Sequence, residues 1–190
     1  YYFHHCVHAR RYTEAWQVFK TGYLHPNYEK LQGSTRDNWH LYGGYCHLLA
    51  QIGKMDLQEV TKTIGPFKYR RFINDFDTFD QDKTAMNIPL IILPLVYSIV
   101  TGTYQEQYFS IESLEKYQKR HLTRELNLRS ILFFKLLILL LSNPFEHKDT
   151  SKKLKMYLEQ LKAMPIQVSR QTVAIEIIPY EDLWEMITRI

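Results

Sequence analysis

Apolar residues recur about every three to four positions along most of this chain, and short polar turns separate the periodic stretches. This spacing places apolar side chains on one face of an α-helix. Gly or Pro stands near the end of several stretches, as at Gly53 and Pro165. The pattern predicts helices over residues 1–9, 13–22, 36–51, 56–63, 84–100, 104–121, 124–141, 150–162 and 180–190.

An apolar helix, a tight turn and a second helix form a unit that recurs around Tyr12, Gly53 and Gly102. Such units are typical of stacked antiparallel helical hairpins, which build surfaces for binding. The clearest hairpin joins the predicted helices 84–100 and 104–121. We therefore expect an all-α protein, either a stacked array of hairpins or an irregular helical bundle.

Two segments depart from the helical pattern. Residues 67–83 alternate aromatic and charged side chains, which predicts one helix followed by a loop. Residues 172–178 are rich in β-branched side chains and end at Pro179, so we expect a short segment there that is extended or weakly helical. The C-terminal helix is then expected to cap the array or to dock on another chain. We predict one domain, with the helical array over 1–165 and the extended segment and capping helix over 166–190.

Residues 39–46 read Trp-His-Leu-Tyr-Gly-Gly-Tyr-Cys and combine aromatic, large apolar and small side chains within about two helical turns. This run resembles the first-helix half of a tetratricopeptide repeat, with Tyr where the family has Leu and Cys where it has Tyr. Tyr12, Ala15 and Phe19, with Pro26 following, resemble a second-helix half. The small residues let two helices approach closely, and the aromatic residues fill the groove between them.

The resemblance is degenerate and covers about the first two thirds of the chain. The turns are spaced more widely than the period of about 34 residues that the family shows. The end of the chain also resembles the ends of uncharacterised bacterial helical-repeat proteins, a likeness that supplies no function. The tetratricopeptide-like resemblance implies stacked helical hairpins and a groove that holds a peptide or a partner helix.

Composition supports a helical protein with a substantial core. Hydrophobic residues make up 45% of the chain and aromatic residues 14%, while only 7 Gly and 7 Pro are present. The two cysteines, Cys6 and Cys46, are too few for a disulfide framework, which favours a reducing compartment and predicts a cytoplasmic protein. The apolar runs 88–100 and 131–141 fall short of the roughly 20 residues that cross a bilayer. We expect buried helices there and no membrane association.

Candidate chemistry is sparse. His4 and His8 lie one helical turn apart, a spacing that suits a shared metal ion, but no third ligand is evident. Neither cysteine stands in a nucleophile elbow, and no glycine-rich phosphate loop occurs. The Asp-rich run 74–82 lacks the Gly and the closing Glu of a calcium loop. We therefore predict no catalytic residue, no metal and no cofactor, and a protein that is not an enzyme.

Basic residues form local clusters on a chain whose formal net charge is only +4. With interleaved tyrosines they could follow a nucleic-acid backbone, although charged runs on helices are more commonly solvated faces. The clusters are Lys68, Arg70 and Arg71, then Lys116, Lys119, Arg120, Arg124 and Arg129, then Lys148, Lys152, Lys153 and Lys155.

These observations favour a non-catalytic protein-interaction module or scaffold that binds a peptide or partner helix. Aromatic side chains would supply the affinity and basic ones the specificity. The alternatives are a nucleic-acid-binding or regulatory module that uses the basic stripes, and the sensory half of a larger regulator. The oligomeric state is left open. The candidate partner-binding residues are Trp39, Tyr42, Tyr45, Tyr69, Arg70, Arg71, Lys116 and Arg120.

We also predict which residues hold the paired helices together. These are expected to be small or large apolar side chains at the helix contacts, where a substitution would unfold the chain. They are Ala15, Phe19, Gly43, Tyr104 and Leu114.

Overall fold

The computed structural model describes residues 2–76, 87–103, 111–122, 124–142, 148–166 and 176–189. Across these ranges the chain is helical and contains no strand, so the all-α prediction is confirmed. A single 3₁₀ turn, Tyr28–Lys30, separates the second and third helices. The α-helices of the described part are α1 (Tyr2–His8), α2 (Tyr12–Tyr23), α3 (Gly33–Gln51), α4 (Leu57–Ile64), α5 (Tyr69–Asn74), α6 (Asn87–Thr101), α7 (Ile111–His121), α8 (Arg124–Leu141), α9 (Lys148–Ala163) and α10 (Tyr180–Thr188).

Most helix ends lie within a few residues of the predicted ones, and α3 shows the physical reason for one difference. The sequence pattern placed Gly33 in a turn before the helix, but α3 already begins at this residue. Gly33 has a φ of 54°, which an L side chain rarely adopts, and so it redirects the chain into the helix. Asp56 caps the N-terminus of α4, because its carboxylate accepts the Glu59 N–H at 2.7 Å.

Some predicted features lie outside the described residues. They are the Asp-rich run beyond Phe76, the start of the sixth predicted helix at Tyr104, and the extended segment over most of 172–178.

Many of the helices pack on their neighbours along the chain, and α3 and α10 also contact the more distant α6. α1 packs on α2, α2 on α3 and α3 on α4, while α7 packs on α8 and α8 on α9. In addition α3 packs on α6, and α10 contacts both α6 and α9. α3 is therefore the central helix of the N-terminal half, and α10 connects that half to the C-terminal one.

Two consecutive glycines let other elements approach α3 closely. A Cβ atom at Gly44 would lie 2.5 Å from Leu93 Cδ2 on α6 and 2.6 Å from Phe72 Cε2 on α5. A Cβ at Gly43 would lie 3.2 Å from Phe19 Cζ on α2. Phe72 of α5 and Leu93 of α6 thus occupy the space that a side chain at Gly44 would fill.

A buried arginine joins α8, the end of α9 and the residues before α10. Arg129 is 2% exposed, and its Nε and Nη2 donate to the Glu176 carboxylate at 2.6 and 2.9 Å. Nη2 also donates to Glu181, and Nη1 donates to the carbonyl oxygens of Leu161 and Met164 at 2.8 and 2.7 Å. All three guanidinium nitrogens are therefore used inside the protein.

The first helix contacts the region around the last helix. His8 Nε2 donates to the Glu176 carbonyl oxygen at 2.9 Å, and Arg10 donates to the Asp182 carboxylate at 3.1 and 2.5 Å. Arg10 has a φ of 58°, a left-handed conformation that costs an L residue roughly 1 kcal/mol. The turn after α1 therefore contains a strained backbone conformation at Arg10, the residue that pairs with Asp182 of α10.

The residues predicted to hold helix pairs together lie in the core where they are described. Ala15, Phe19, Gly43 and Leu114 are all buried, whereas Tyr104 lies outside the described residues. Within the described ranges, no helix is both long enough and apolar enough to cross a membrane.

Replacing Arg129 with Met should lower the free energy of unfolding by about 3–5 kcal/mol, because Glu176 would stay buried without its partner. The measurement is urea denaturation followed by far-UV circular dichroism. The control is Arg189→Met, which removes an exposed pair with Glu185 on α10 and should cost under about 1 kcal/mol. Equal losses in the two variants would contradict the structural role of Arg129.

Gly44→Ala should destabilise the protein by about 1–3 kcal/mol, because the new methyl group would overlap Leu93 and Phe72. Gly43→Ala is the matched variant, since only Phe19 must move slightly and alanine favours helix by about 1 kcal/mol. The sequence-based expectation that a substitution at Gly43 unfolds the chain therefore needs a correction: we expect Gly43→Ala to stay within about 1 kcal/mol of wild type in the same urea experiment. The reverse order of stability would show that α5 and α6 do not pack as closely on α3.

Candidate functional site

A cleft of about 280 Å³ opens between α3 and the link from α4 to α5. We call it the aromatic cleft. Its walls are formed by Phe19, Trp39, Phe67 and Phe72 together with the imidazoles of His40 and His47.

The sequence of α3 places four residues that line the aromatic cleft on one helix face. His40, Gly43, Gly44 and His47 are spaced three, four and seven positions apart, so they share one helix face. The two glycines lack side chains, and Phe19 and Phe72 pack into the space beside them, so these two cleft rings lie close to the helix that carries both histidines. On the opposite side, Gly65 ends α4 with a φ of 78°, and a short non-helical link over residues 65–68 leads to α5.

Trp39 is fixed by the aromatic cluster behind it. Its ring lies 5.7 Å from the Phe19 ring and 6.4 Å from the Tyr28 ring, the latter edge to face. A Cβ at Gly22 would lie 2.1 Å from Trp39 Cη2, so α2 also makes room for the indole. The indole is only half-buried and therefore presents a rigid aromatic surface in the cleft.

His40 is held in one orientation and one tautomer. Its Nε2 donates to the Phe72 carbonyl oxygen at 2.9 Å, so the proton of the neutral ring is on Nε2. The ring stacks on Phe72 at 4.8 Å and meets Phe76 edge to face, also at 4.8 Å. Burial lowers the pKa of His40, which keeps the imidazole neutral at pH 7.

His47 differs from His40 because it has no hydrogen-bond partner among the described residues. It is 7% exposed, lines the aromatic cleft, and its ring lies 5.7 Å from the Phe67 ring. Burial lowers the pKa of His47 to about 4. The neutral ring carries one N–H and one lone pair, and neither His47 nitrogen is among the buried side-chain atoms that lack a hydrogen-bond partner.

Charged residues stand around the aromatic cleft with a small excess of positive charge. Arg36, Lys68 and Arg71 are basic, and Glu29 and Asp75 are acidic. Arg71 Nε lies 3.6 Å from Asp75 Oδ2, which partly offsets one of the cations. The arrangement suits a ligand that combines an apolar or aromatic group with negative charge.

The structure brings only two of the predicted site residues, Trp39 and Arg71, to the aromatic cleft. Tyr42 is half-buried and stacks on Phe3 of α1 at 4.5 Å. Tyr45 is 2% exposed and donates to the Pro89 carbonyl oxygen at 3.2 Å, so it is a core residue and has no surface for a partner.

The remaining predicted site residues lie elsewhere on the surface. Tyr69 is half-buried and Arg70 is exposed on α5, and neither lines the aromatic cleft. Lys116 and Arg120 are exposed on α7, where Lys116 Nζ pairs with Glu112 at 2.7 Å. The basic cluster on α7 and α8 also needs a correction, because Arg129 is buried in ion pairs and cannot contribute to an exposed stripe.

Sequence reasoning missed the two histidines and the Phe67 and Phe72 walls. The signal for the histidines was present in the three- and four-residue spacing around Gly43 and Gly44. Phe67 and Phe72 belong to the stretch 67–83 that alternates aromatic and charged residues, but this alternation did not indicate that their side chains reach α3.

The other candidate chemistry has a structural explanation. Cys6 and Cys46 are both free and buried, and burial raises the pKa of Cys46 well above its usual value. The rings of His4 and His8 lie 5.0 Å apart, but His8 Nε2 is used by the Glu176 carbonyl oxygen. Among the described residues, no cluster of three or more His, Cys, Asp or Glu side chains could hold a metal ion.

No family model matches the chain, and comparisons with curated proteins and with solved structures gave no match either. The aromatic cleft is therefore the basis on which function is inferred.

Acidification should destabilise the protein between pH 6.5 and 4. The pKa of His47 falls from 6.5 to about 4 on folding, so the unfolded chain binds more protons in this window. The contribution of His47 to stability is fully present above pH 6.5 and decreases by up to about 1.4 kcal/mol per pH unit as the pH falls toward 4. His4, whose pKa burial and His8 also lower to about 4, acts in the same direction.

Urea denaturation of wild type and His47→Leu at pH 7 and pH 5 tests this linkage. The variant should lose less stability between the two pH values than wild type does, because one buried titrating group is gone. His5→Leu, at an exposed position of α1, is the matched control and should behave as wild type. An unchanged pH dependence in His47→Leu would show that His47 is not buried in a neutral form.

Proposed function

We propose that this chain is a non-catalytic protein-interaction module that holds a peptide or partner helix in the aromatic cleft. The observation that carries the proposal is an open cleft with rigid aromatic walls and two imidazoles, those of His40 and His47. Aromatic side chains in such positions are the common source of binding energy at protein interfaces. Within the described residues, none of the other surfaces combines these features.

The size of the aromatic cleft favours anchoring of one or two side chains. About 280 Å³ is at the low end of ligand pockets, which commonly span roughly 300–1,000 Å³. The remainder of a bound segment would then lie outside, along α3 and the start of α5. This mode of binding corresponds to the anchoring of a helix or extended peptide by a few side chains in a groove.

The chemistry of the aromatic cleft supports binding more than catalysis. Burial lowers the pKa of both His40 and His47, which makes them weak general bases at neutral pH. The proton of His40 Nε2 is already donated to the Phe72 carbonyl oxygen. Both cysteines are buried away from the cleft and cannot act as nucleophiles there.

Nucleic-acid binding is the alternative that the exposed cations favour. Lys119 and Arg120 on α7 and Lys152 and Lys153 on α9 are exposed, and a backbone-binding surface there would lose affinity steeply as salt rises. The burial of Arg129 and the pairing of Lys116 with Glu112 reduce this surface. A tetratricopeptide-like ancestry, a cytoplasmic location and a place within a larger regulator are consistent with the proposal.

Selection of short random peptides displayed on phage, with the full chain immobilised, tests the proposed function. We expect enriched peptides that bind in the micromolar range, about −8 kcal/mol, by fluorescence anisotropy. Phe67→Ala removes one wall of the aromatic cleft and should weaken binding about tenfold or more.

Tyr69→Ala is the matched control, since it removes a half-buried aromatic side chain two residues away that does not line the cleft. It should leave affinity within about twofold of wild type. Far-UV circular dichroism establishes that both variants are folded. Peptides that bind equally to both variants, or no enrichment at all, would contradict the proposal.

A further inference from the structure

We propose that the aromatic cleft binds a peptide in one orientation, with an apolar side chain as the anchor and a carboxylate, on one side of that anchor, paired with Lys68. This inference rests on the proposed function and names the chemistry of the partner. It depends on the order in which the charged residues follow one another along the cleft.

The aromatic cleft follows α3 and has two distinct ends. Its lining residues on α3 extend from Arg36 to His47, which is about three helical turns or roughly 16 Å. The Phe67 ring lies 5.7 Å from the His47 ring, whereas the Phe76 ring lies 4.8 Å from the His40 ring. The chain from the link through α5 therefore passes α3 in the opposite direction.

The excess positive charge of the cleft lies at one end, next to the link between α4 and α5. Lys68 in this link is exposed, lines the cleft and forms no ion pair within the described part of the chain. Towards the other end, Arg36 and Glu29 line the cleft near the start of α3. On α5, Arg71 Nε lies 3.6 Å from Asp75 Oδ2. These two cations and two anions balance, so Lys68 carries the excess.

A carboxylate on the peptide complements the cleft at the Lys68 end only. An anchor near the middle of the cleft stands about two or three residues of extended peptide from that end. A carboxylate at the same distance on the other side would lie towards Glu29 and Asp75, which would repel it. The position of the acidic residue therefore determines the direction in which the peptide lies.

A nucleic-acid strand fits the same charges less well. Each nucleotide brings a phosphate, so consecutive anions would extend along the whole cleft. Glu29 and Asp75 would repel them, whereas surfaces that bind single strands follow the backbone with positive charge. The order of charges therefore favours a peptide.

Parallel selections from random peptides displayed on phage test the inference, with wild type and Lys68→Glu each immobilised as the full chain. Wild type should enrich peptides with Asp or Glu about two or three positions from an apolar residue, always on the same side. Lys68→Glu should instead enrich Lys or Arg at that position, because the charge at this end of the cleft is reversed.

Arg70→Glu is the matched control for the selections. It makes the same change of charge at an exposed residue of α5 that does not line the cleft. This variant should enrich the same acidic peptides as wild type. Loss of the acidic preference in Arg70→Glu as well would show that the overall charge of the surface, and not a pair with Lys68, selects the peptide.

Synthetic versions of the tightest wild-type peptide measure the pairing by fluorescence anisotropy. They have blocked ends and carry Asp, Asn or Lys at the acidic position. Wild type should bind the Asp version about threefold more tightly than the Asn version, and the Lys version most weakly. In Lys68→Glu this order should be reversed. A variant that only loosened the fold would weaken all three peptides and keep their order.

The outcomes separate this inference from the proposed function. If selected peptides depend on Phe67 but show no acidic residue, or show one equally on both sides of the anchor, the inference is overturned and the interaction module stands. An oligothymidine strand that binds in a manner dependent on both Phe67 and Lys68, while no acidic peptide is enriched, would also overturn it. If no peptide binds in a way that depends on Phe67, both proposals fail.

Discussion

The close approach of α5 and α6 to Gly44 is the constraint on which the centre of this protein depends. α3 contacts α2, α4 and α6, and its two glycines let Phe19, Phe72 and Leu93 occupy space beside its backbone. Phe19 and Phe72, which pack against the two glycines, also line the aromatic cleft beside His40 and His47. Core packing and the shape of the cleft therefore depend on the same feature of α3.

The ion pairs of Arg129 show why only part of the structure follows from sequence patterns. Apolar periodicity predicted the helices well, because it reports which face of each helix is buried. This periodicity does not indicate which residues that are far apart in sequence contact each other in the fold. Arg129 stands among apolar residues and reads as one member of a basic cluster, and only the fold brings Glu176 and Glu181 to it.

The candidate site was predictable to a similar extent. Trp39 and Arg71 were identified because aromatic and arginine side chains are frequent at interfaces, and both line the aromatic cleft. Tyr45 was identified on the same ground but packs inside, since residue type alone does not distinguish a core aromatic from an exposed one. Phe67 in the link between α4 and α5, and Phe72 on α5, line the aromatic cleft because of the course that this link takes. Helical periodicity in the sequence does not predict that course.

The contacts between α1 and the region of α10 have a consequence for folding. His8 bonds to Glu176 and Arg10 to Asp182, which are separated by 168 and 172 positions along the chain. Local helix pairs form quickly, whereas contacts of such large sequence separation slow the final step of folding. During synthesis α1 to α9 would leave the ribosome before their last partner is made. The N-terminal half would then remain incompletely packed until α10 is synthesised and packs against it.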